Sequence, residues 1–412
     1  MKILRIELHN FRNMKLKEID FCHDNGDDRK FTAIIGDNGV GKTAILEGIT
    51  RGFTPIIRSI SDKAVKECDI NNNDIMQGEK WTAINLKVKL EDEVFTWYNK
   101  RRITTKVMFD EKVTQLLDFK NMKAKYEQCY ENGKLPLILY YGINRVITEI
   151  PKRGHIKETK IEDSLKNCFD NVNYFRDFYE WFKTEEDVEL REQKENPKYK
   201  NVKLDAVRTA IERMIPGYKN LRIKLNPSRM IITNKDGIHL RIEQLSGGYK
   251  AILSIVSDIA KRLATANPHS KNPLEEHGII LIDELDLHLH PKWQKTIAND
   301  LKRTFPNCQF IVTTHSPFII QSLNKEEVIN IEKDCNESDG SFEGWSIEEI
   351  QEYEMGVQVK TEKYQKALEE FSEAIDDEES EKAKILYKEL IKMIHPQSYE
   401  KKIIDIDMAG LK

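Results

Sequence analysis

The segment GDNGVGKT, from Gly36 to Thr43, constrains the fold of this chain more than any other part of its sequence. It follows the strand-like run FTAII and precedes the helix-like run AILEGITRGF. Glycines at such a turn let backbone N–H groups surround a phosphate, and the helix N-terminus favours its negative charge. We therefore predict a phosphate-binding loop, with Lys42 on the β- and γ-phosphates and Thr43 as a Mg²⁺ ligand. Its predicted nucleotide-binding residues are Gly36, Asp37, Asn38, Gly39, Val40, Gly41, Lys42 and Thr43.

Two further apolar runs end in polar residues that suit the same chemistry. GIILIDE ends in Asp283 and Glu284, and QFIVTTH ends in His315. Their β-branched content predicts central strands of a parallel sheet, whose carboxyl ends meet at one edge. Asp283 is then the predicted Mg²⁺ residue, Glu284 the general base for the attacking water and His315 a sensor of the γ-phosphate. Taken alone, the acidic pair also fits an exposed turn, and the histidine fits an ordinary surface position.

A second anion site is predicted at LSGGYK, which opens the amphipathic run AILSIVSDIAKRL. Ser246, Gly247 and Gly248 stand at the start of this predicted helix, where a hydroxyl, free amides and the helix dipole favour phosphate. Two copies related by a twofold axis could each place this segment on the other's phosphate loop, with ATP between them. The alternative is an ordinary glycine-containing helix cap.

Composition limits the remaining classes of protein. The 412 residues suggest two or three domains, and the net charge of -4 leaves nucleic-acid contact to a local patch. Six cysteines without CxxC spacing argue against a zinc site or a disulfide framework. The N-terminus alternates like a strand and no run reaches about 20 apolar residues, so we expect a cytoplasmic protein without a membrane span.

The order of the motifs divides the sequence into four expected parts. An ATPase lobe with the phosphate loop and a β flank is followed by a helical insertion and return strands. A second ATPase lobe carries the LSGGYK, DE and histidine motifs, and a tail with two helical patterns around an acidic turn follows. The expected bounds are 1–150, 151–240, 241–335 and 346–412.

Taken together, HNFRNM, GDNGVGKT, LSGGYK, IDELDLHLHPKWQ and IVTTHSP resemble the SMC/RecF/OLD group of ABC ATPases. YYGINR, the WFK segment near Trp181 and the helical tail are similar to bacterial ATP-binding proteins that include the ATPase subunit of Septu antiphage defence and retron-linked relatives. The resemblance implies an α/β ABC-type ATPase head. Its expected parts are a parallel phosphate-loop sheet, an antiparallel β flank, a helical insertion and a C-terminal helical hairpin.

The resemblance also implies roles for single residues. Arg12 and Asn13 are expected beside the nucleotide phosphates, and His290 stands where SMC proteins usually carry an aspartate in the D-loop. Gln77 is a candidate for the Q-loop glutamine, and the alternative is that it lies in an ordinary solvated turn. Arg145 is a candidate for contact with the nucleotide or the dimer interface, and the alternative is a structural salt bridge. For His288, next to His290, we favour D-loop geometry over metal binding.

The function that this resemblance implies is ATP binding and hydrolysis, with ATP and Mg²⁺ as cofactors. Expected partners are a second copy in an ATP-sandwich homodimer or higher oligomer, a separate HNH-type nuclease controlled in antiphage defence, and DNA. The chain is not expected to be a nuclease itself, since it lacks room for a TOPRIM domain and its histidines are scattered. A stand-alone RecF-like repair or DNA-clamping ATPase is the alternative. The absence of membrane segments disfavours a transporter subunit.

Overall fold

A computed structural model describes residues 1–23, 29–62, 64–65, 68–103, 113–114, 116–143, 159–170, 174–333 and 340–410. Arg145 lies outside the described residues. The chain forms two compact units, Met1–Trp345 and Ser346–Lys412. No helix within the described residues is long and apolar enough to cross a membrane.

The described residues of the first unit contain one parallel sheet and two antiparallel sheets. The strands are β1 Lys2–Phe11, β2 Met14–Asp20, β3 Phe31–Ile35, β4 Trp81–Leu90, β5 Glu93–Arg102, β6 Val113–Thr114, β7 Leu137–Tyr141, β8 Tyr218–Lys224, β9 Arg229–Asn234, β10 His239–Arg241, β11 Gly278–Ile282, β12 Cys308–Thr313 and β13 Val328–Asn330. The parallel sheet has the order β13-β3-β12-β11-β7, and the two antiparallel sheets have the orders β2-β1-β4-β5-β6 and β10-β9-β8.

The parallel sheet forms the core because four of its strands are apolar on both faces. Every residue of β3, β7, β11 and β12 is buried. Such continuous burial is expected for a parallel sheet that is covered on both sides. The register pairs Ile282 with Val312 and Thr313 with Ile34, so the ends of β11, β12 and β3 lie at one edge. The phosphate loop, Asp283, Glu284 and His315 follow these strand ends.

Some of the helices pack on the sheets of the first unit, and the helices after Trp345 form the second unit. The helix that follows the phosphate loop buries residues such as Ile45, Ile49 and Phe53, and it crosses to the antiparallel sheet, where the Trp97 indole donates to Gly52 O at 3.1 Å. The α-helices are α1 Lys42–Ile60, α2 Leu116–Glu131, α3 Tyr174–Glu195, α4 Val202–Met214, α5 Gly247–Ala266, α6 Pro291–Gln294, α7 Ile297–Thr304, α8 Pro317–Ile320, α9 Ile347–Glu349, α10 Glu362–Asp376, α11 Ser380–Met393 and α12 Tyr399–Gly410.

The second unit has a small core of its own, formed by three helices. The sequence predicted only the first two of these helices as a hairpin. Helix α12 was missed because its apolar residues do not recur at a clear helical spacing. The buried core residues of this unit are Tyr364, Phe371, Ala374, Ala383, Leu386, Leu390 and Ile404.

The predicted fold class is confirmed. The parallel phosphate-loop sheet, the antiparallel β flank beside it and the helical insertion α3–α4 are all present.

Candidate functional site

The phosphate loop connects β3 to α1 through residues with left-handed backbone. Gly41 is the N-cap of α1 with φ 112° and ψ 16°, a conformation that a side chain would strain. A Cβ at Gly41 would also lie 3.2 Å from Asn13 Oδ1. Asn13 in turn donates from Nδ2 to Gly39 O at 2.9 Å. The turn between β1 and β2 therefore holds the phosphate loop directly, at one of the two positions that the HNFRNM resemblance indicated.

Lys42 folds back over the same loop. Its Nζ donates to Gly36 O at 2.9 Å and to Asp37 O at 2.7 Å. Burial lowers the pKa of Lys42, while the carboxylates of Glu332 and Asp283 oppose that shift. A bound phosphate would add negative charge beside this ammonium group and favour its charged form.

Asp283 at the end of β11 joins the loop to the neighbouring strand. Thr43 Oγ1 donates to Asp283 Oδ2 at 2.9 Å, and Thr313 Oγ1 donates to Asp283 Oδ1 at 2.5 Å. The Asp283 side chain is buried, and its backbone N–H donates to Tyr141 O at 2.8 Å. Helix α1 and strand β12 thus fix the orientation of this carboxylate, and β7 holds its backbone.

Thr43 and Asp283 fit a Mg²⁺ ion by their chemistry. A hydroxyl and a carboxylate are the oxygen ligands that this ion accepts, and it usually takes its remaining ligands from water and phosphate. Their oxygens already lie within hydrogen-bond distance of each other. Both residues would hold the ion beside the phosphate loop.

Glu284 is held by its backbone and leaves its carboxylate partly exposed. It has φ 47°, and its N–H donates to Thr313 Oγ1 at 2.7 Å. Since a left-handed conformation is uncommon for a residue with a side chain, the turn after β11 is fixed by this contact. Because the same Thr313 hydroxyl also donates to the Asp283 carboxylate, it links the positions of Glu284 and Asp283.

His315 follows β12 and is positioned by Asp286. The His315 N–H donates to Asp286 Oδ1 at 3.2 Å, and Thr314 Oγ1 donates to the same oxygen at 2.5 Å. Asp286 and Thr313 were not singled out from sequence. The available signal was their place within IDELDLHLHPKWQ and IVTTHSP, at or shortly after the carboxyl ends of buried strands, where side chains of different strands converge.

Arg12 lies beside the first turn of α1, bound to two carboxylates. Its Nε donates to Asp74 Oδ1 at 3.1 Å, and its guanidinium pairs with Glu47. The Asp74 carboxylate also accepts from Arg51 Nε at 3.1 Å. Arg12 thus contacts α1 one turn beyond Lys42, and its guanidinium is bound by the carboxylates of Glu47 and Asp74.

The LSGGYK segment begins α5 on another part of the unit. Ser246 is the exposed N-cap residue, and its hydroxyl accepts no hydrogen bond from the amides of its own helix. A Cβ at Gly248 would lie 2.7 Å from His288 O, so the backbone after the DE pair packs directly on this glycine. Tyr249 stacks edge-on against Trp293 with ring centroids 4.1 Å apart. The predicted second anion site thus packs against the D-loop segment that contains His288.

The remaining candidates are Gln77, His288 and His290. Gln77 is exposed in a turn before β4. Nδ1 of His290 accepts from Lys292 N at 3.2 Å, so this histidine caps α6. His288 is exposed with φ 66°. Glu332, which the sequence did not indicate, accepts from Asp37 N at 2.6 Å at the start of the loop.

Comparison with known proteins gives the following similarities. The family described as RecF/RecN/SMC N terminal domain matches residues 2–338. The Retron Vc95 probable ATPase of Vibrio cholerae serotype O1 biovar El Tor is 30% identical over 398 residues, covering 82% of this chain and 75% of that protein. Septu protein PtuA of Bacillus thuringiensis is 27% identical over 400 residues, covering 91% of each. The structure of an SMC head bound to the C-winged helix domain of ScpA is 18% identical, with a TM-score of 0.47, and covers 80% of this chain and 94% of that one.

Proposed function

This chain belongs to the RecF/RecN/SMC N-terminal domain family, and from that premise we propose that it hydrolyses ATP between two copies of itself and thereby controls a separate nuclease. The Ser246 hydroxyl is the observation that supports ATP hydrolysis between two copies. It is exposed at a helix N-terminus and caps nothing in its own helix, whereas Ser316 caps α8 by accepting from Ile319 N. A hydroxyl and free amides in this state suit a phosphate supplied from outside the chain.

In the proposed complex, the phosphate loop of one copy faces Ser246 of the other. Lys42 neutralises the β- and γ-phosphates, and the Gly39–Gly41 turn presents backbone N–H groups to them. A twofold axis makes two such sites, so each ATP contributes to the contact between copies. Without ATP, the two copies lack these contacts.

Hydrolysis in this arrangement depends on Glu284 as general base. Its carboxylate accepts a proton from the water that attacks the γ-phosphate, and Thr313 keeps its backbone in place. Mg²⁺ held by Thr43 and Asp283 would neutralise charge that develops on the phosphates. His315, positioned by Asp286, contacts the γ-phosphate and loses this contact when the phosphate leaves.

Control of a partner nuclease is supported by the relatives. One similar protein is named Septu protein PtuA and another a retron probable ATPase, in agreement with the resemblance drawn from the motifs. We infer that the effector is a separate HNH-type protein. Purified chain with plasmid, Mg²⁺ or Mn²⁺ and ATP should leave the DNA intact, and addition of the protein encoded beside it should cause cleavage. Specific cleavage by the chain alone, lost in a point variant, would contradict this.

The assembly is tested by measuring molecular mass with and without ATP. Glu284→Gln removes the base but keeps the phosphate contacts, so this variant should bind ATP, hydrolyse it at least about 100-fold more slowly and gain mass in ATP. Lys42→Ala should show neither ATP binding nor the gain. A Glu284→Gln protein that binds ATP at unchanged mass would contradict the sandwich.

A further inference from the structure

Glu332 stands just after the edge strand of the parallel sheet, beside the start of the phosphate loop. Strand β13 pairs in parallel with β3, and its last residue, Asn330, lies opposite Ile35. The next backbone N–H, of Ile331, donates to Ile35 O at 3.1 Å, and Lys17 Nζ donates to Ile331 O at 2.6 Å. The backbone is therefore held on two sides just before it reaches Glu332.

The Glu332 carboxylate contacts the phosphate loop itself. Its Oε2 accepts from the N–H of Asp37 at 2.6 Å. The same oxygen would lie 3.1 Å from a Cβ at Gly36, so the carboxylate packs directly on the backbone at the start of the loop. A hydrogen bond from an N–H to a carboxylate is charge-assisted, as is one to a phosphate oxygen. An anionic oxygen of the chain thus contacts the loop that is expected to bind the anionic oxygens of a nucleotide.

The charge of Glu332 also acts on Lys42. Burial lowers the pKa of Lys42, and Glu332 has the largest effect among the carboxylates that oppose this shift, ahead of Asp283. The Lys42 ammonium group donates to Gly36 O and Asp37 O. These are the same two residues that the carboxylate contacts. Glu332 therefore supplies a negative charge near Lys42 without a nucleotide.

We propose that Glu332 sets the nucleotide affinity of the phosphate loop by electrostatic competition. In the empty site, its carboxylate balances the Lys42 ammonium group. When a nucleotide binds, its phosphates take over this role, and the fixed charge of Glu332 then repels them. The site consequently binds nucleotide more weakly than the loop would without this carboxylate, and it releases the nucleotide faster.

This inference rests on the proposed function, since it needs a phosphate loop that binds ATP. The alternative role for Glu332 is structural, as a hydrogen-bond acceptor that fixes the Asp37 backbone. The two roles predict different results for one substitution. In Glu332→Gln, the amide oxygen can still accept from the Asp37 N–H, whereas the negative charge is lost. Competition predicts tighter binding of nucleotide by this variant, and a structural role predicts equal or weaker binding.

The test measures binding of ADP and of the non-hydrolysable triphosphate AMP-PNP by calorimetry, with Mg²⁺ and at several salt concentrations. The full wild-type chain is compared with Glu332→Gln and with a matched control, Glu275→Gln. Glu275 is also exposed, but it precedes β11, and Asp283 follows the opposite end of that strand. Both substituted side chains are exposed, so circular dichroism and the unfolding temperature should match those of wild type.

Glu332→Gln should bind both nucleotides at least about threefold more tightly than wild type at low salt, because a fixed negative charge near the phosphates is removed. The gain should be at least as large for AMP-PNP as for ADP, and it should shrink as salt screens the repulsion. Glu275→Gln should stay within about 1.5-fold of wild type. Equal or weaker binding by Glu332→Gln, a gain independent of salt, or an equal gain in Glu275→Gln would overturn this inference alone. A wild-type chain that binds neither nucleotide would overturn the proposed function as well.

Discussion

The hydroxyl of Tyr141 donates a 2.9 Å hydrogen bond to Asp258 Oδ2 in the buried space between the parallel sheet and α5. Arg262 Nε donates to the same oxygen at 2.6 Å. The backbone oxygen of Tyr141 accepts from the N–H of Asp283 at 2.8 Å. One residue at the end of β7 therefore contacts both the proposed Mg²⁺ aspartate and the helix that begins at Ser246.

Tyr141→Phe should weaken stability and hydrolysis together. It removes a hydrogen bond to a buried carboxylate, worth about 1.5 to 3 kcal/mol, and loosens the strand end that positions Asp283. Tyr126→Phe is the matched control, because its buried hydroxyl donates only to Pro136 O at 3.0 Å. We expect kcat to fall several-fold for Tyr141→Phe and to be unchanged for Tyr126→Phe, with similar ATP affinity in both. Equal kcat in the two variants would show that the contact only stabilises the fold.

Gly248→Ala should destabilise the contact between the start of α5 and the D-loop segment. The new Cβ would lie 2.7 Å from His288 O, a backbone atom that cannot move away alone. Overpacking of this kind costs about 1 to 3 kcal/mol of unfolding free energy. Gly247→Ala has no atom within 4 Å of its new Cβ and should be neutral or stabilising. Denaturant unfolding measures both, and equal stability would contradict the close approach.

Lys261→Met should stabilise the protein near neutral pH. Burial lowers the pKa of Lys261 from 10.5 to about 8, so the unfolded chain binds more protons than the folded one between these values. The native state therefore carries a penalty that is full below pH 8 and disappears as pH rises to about 10.5. We expect the variant to gain on the order of 1 to 3 kcal/mol at pH 7 and progressively less towards pH 10. A gain that does not change with pH would exclude this cause.

Deletion of Ser346–Lys412 should leave ATP binding intact. Every predicted nucleotide-binding residue lies in the unit Met1–Trp345, and the tail has a separate core. Ile385 and Ile406 are 62% and 69% exposed on the tail, which favours contact with another protein chain. We expect the deletion, and Ile385→Glu/Ile406→Glu in the full chain, to change oligomer mass or nuclease capture at unchanged ATP affinity. Loss of ATP binding on deletion would make the tail part of the ATPase.

The fold could be predicted from sequence where a local pattern determines local structure. Apolar runs such as GIILI and QFIVT specified buried strands, and glycines at fixed offsets specified the loop before α1. The contacts of Thr313 and Glu332 could not be predicted, because they join positions that are far apart in sequence. Thr313 lies within IVTTHSP, but its residue type alone does not indicate its partners. The tail helix α12 was missed for a different reason, since its helical periodicity is weak.

In the proposed dimer, Ser246 of one copy completes the phosphate site of the other, and two variants test this most directly. Ser246→Arg and Lys42→Ala proteins should each be inactive as homodimers, because every site then has one defective half. In an equal mixture, each heterodimer has one site with Lys42 and Ser246 both intact, so ATPase activity should recover to about a quarter of wild type. Affinity tags on the two proteins establish that heterodimers form. Heterodimers that form without recovered activity, or a fully active Ser246→Arg homodimer, would contradict the account.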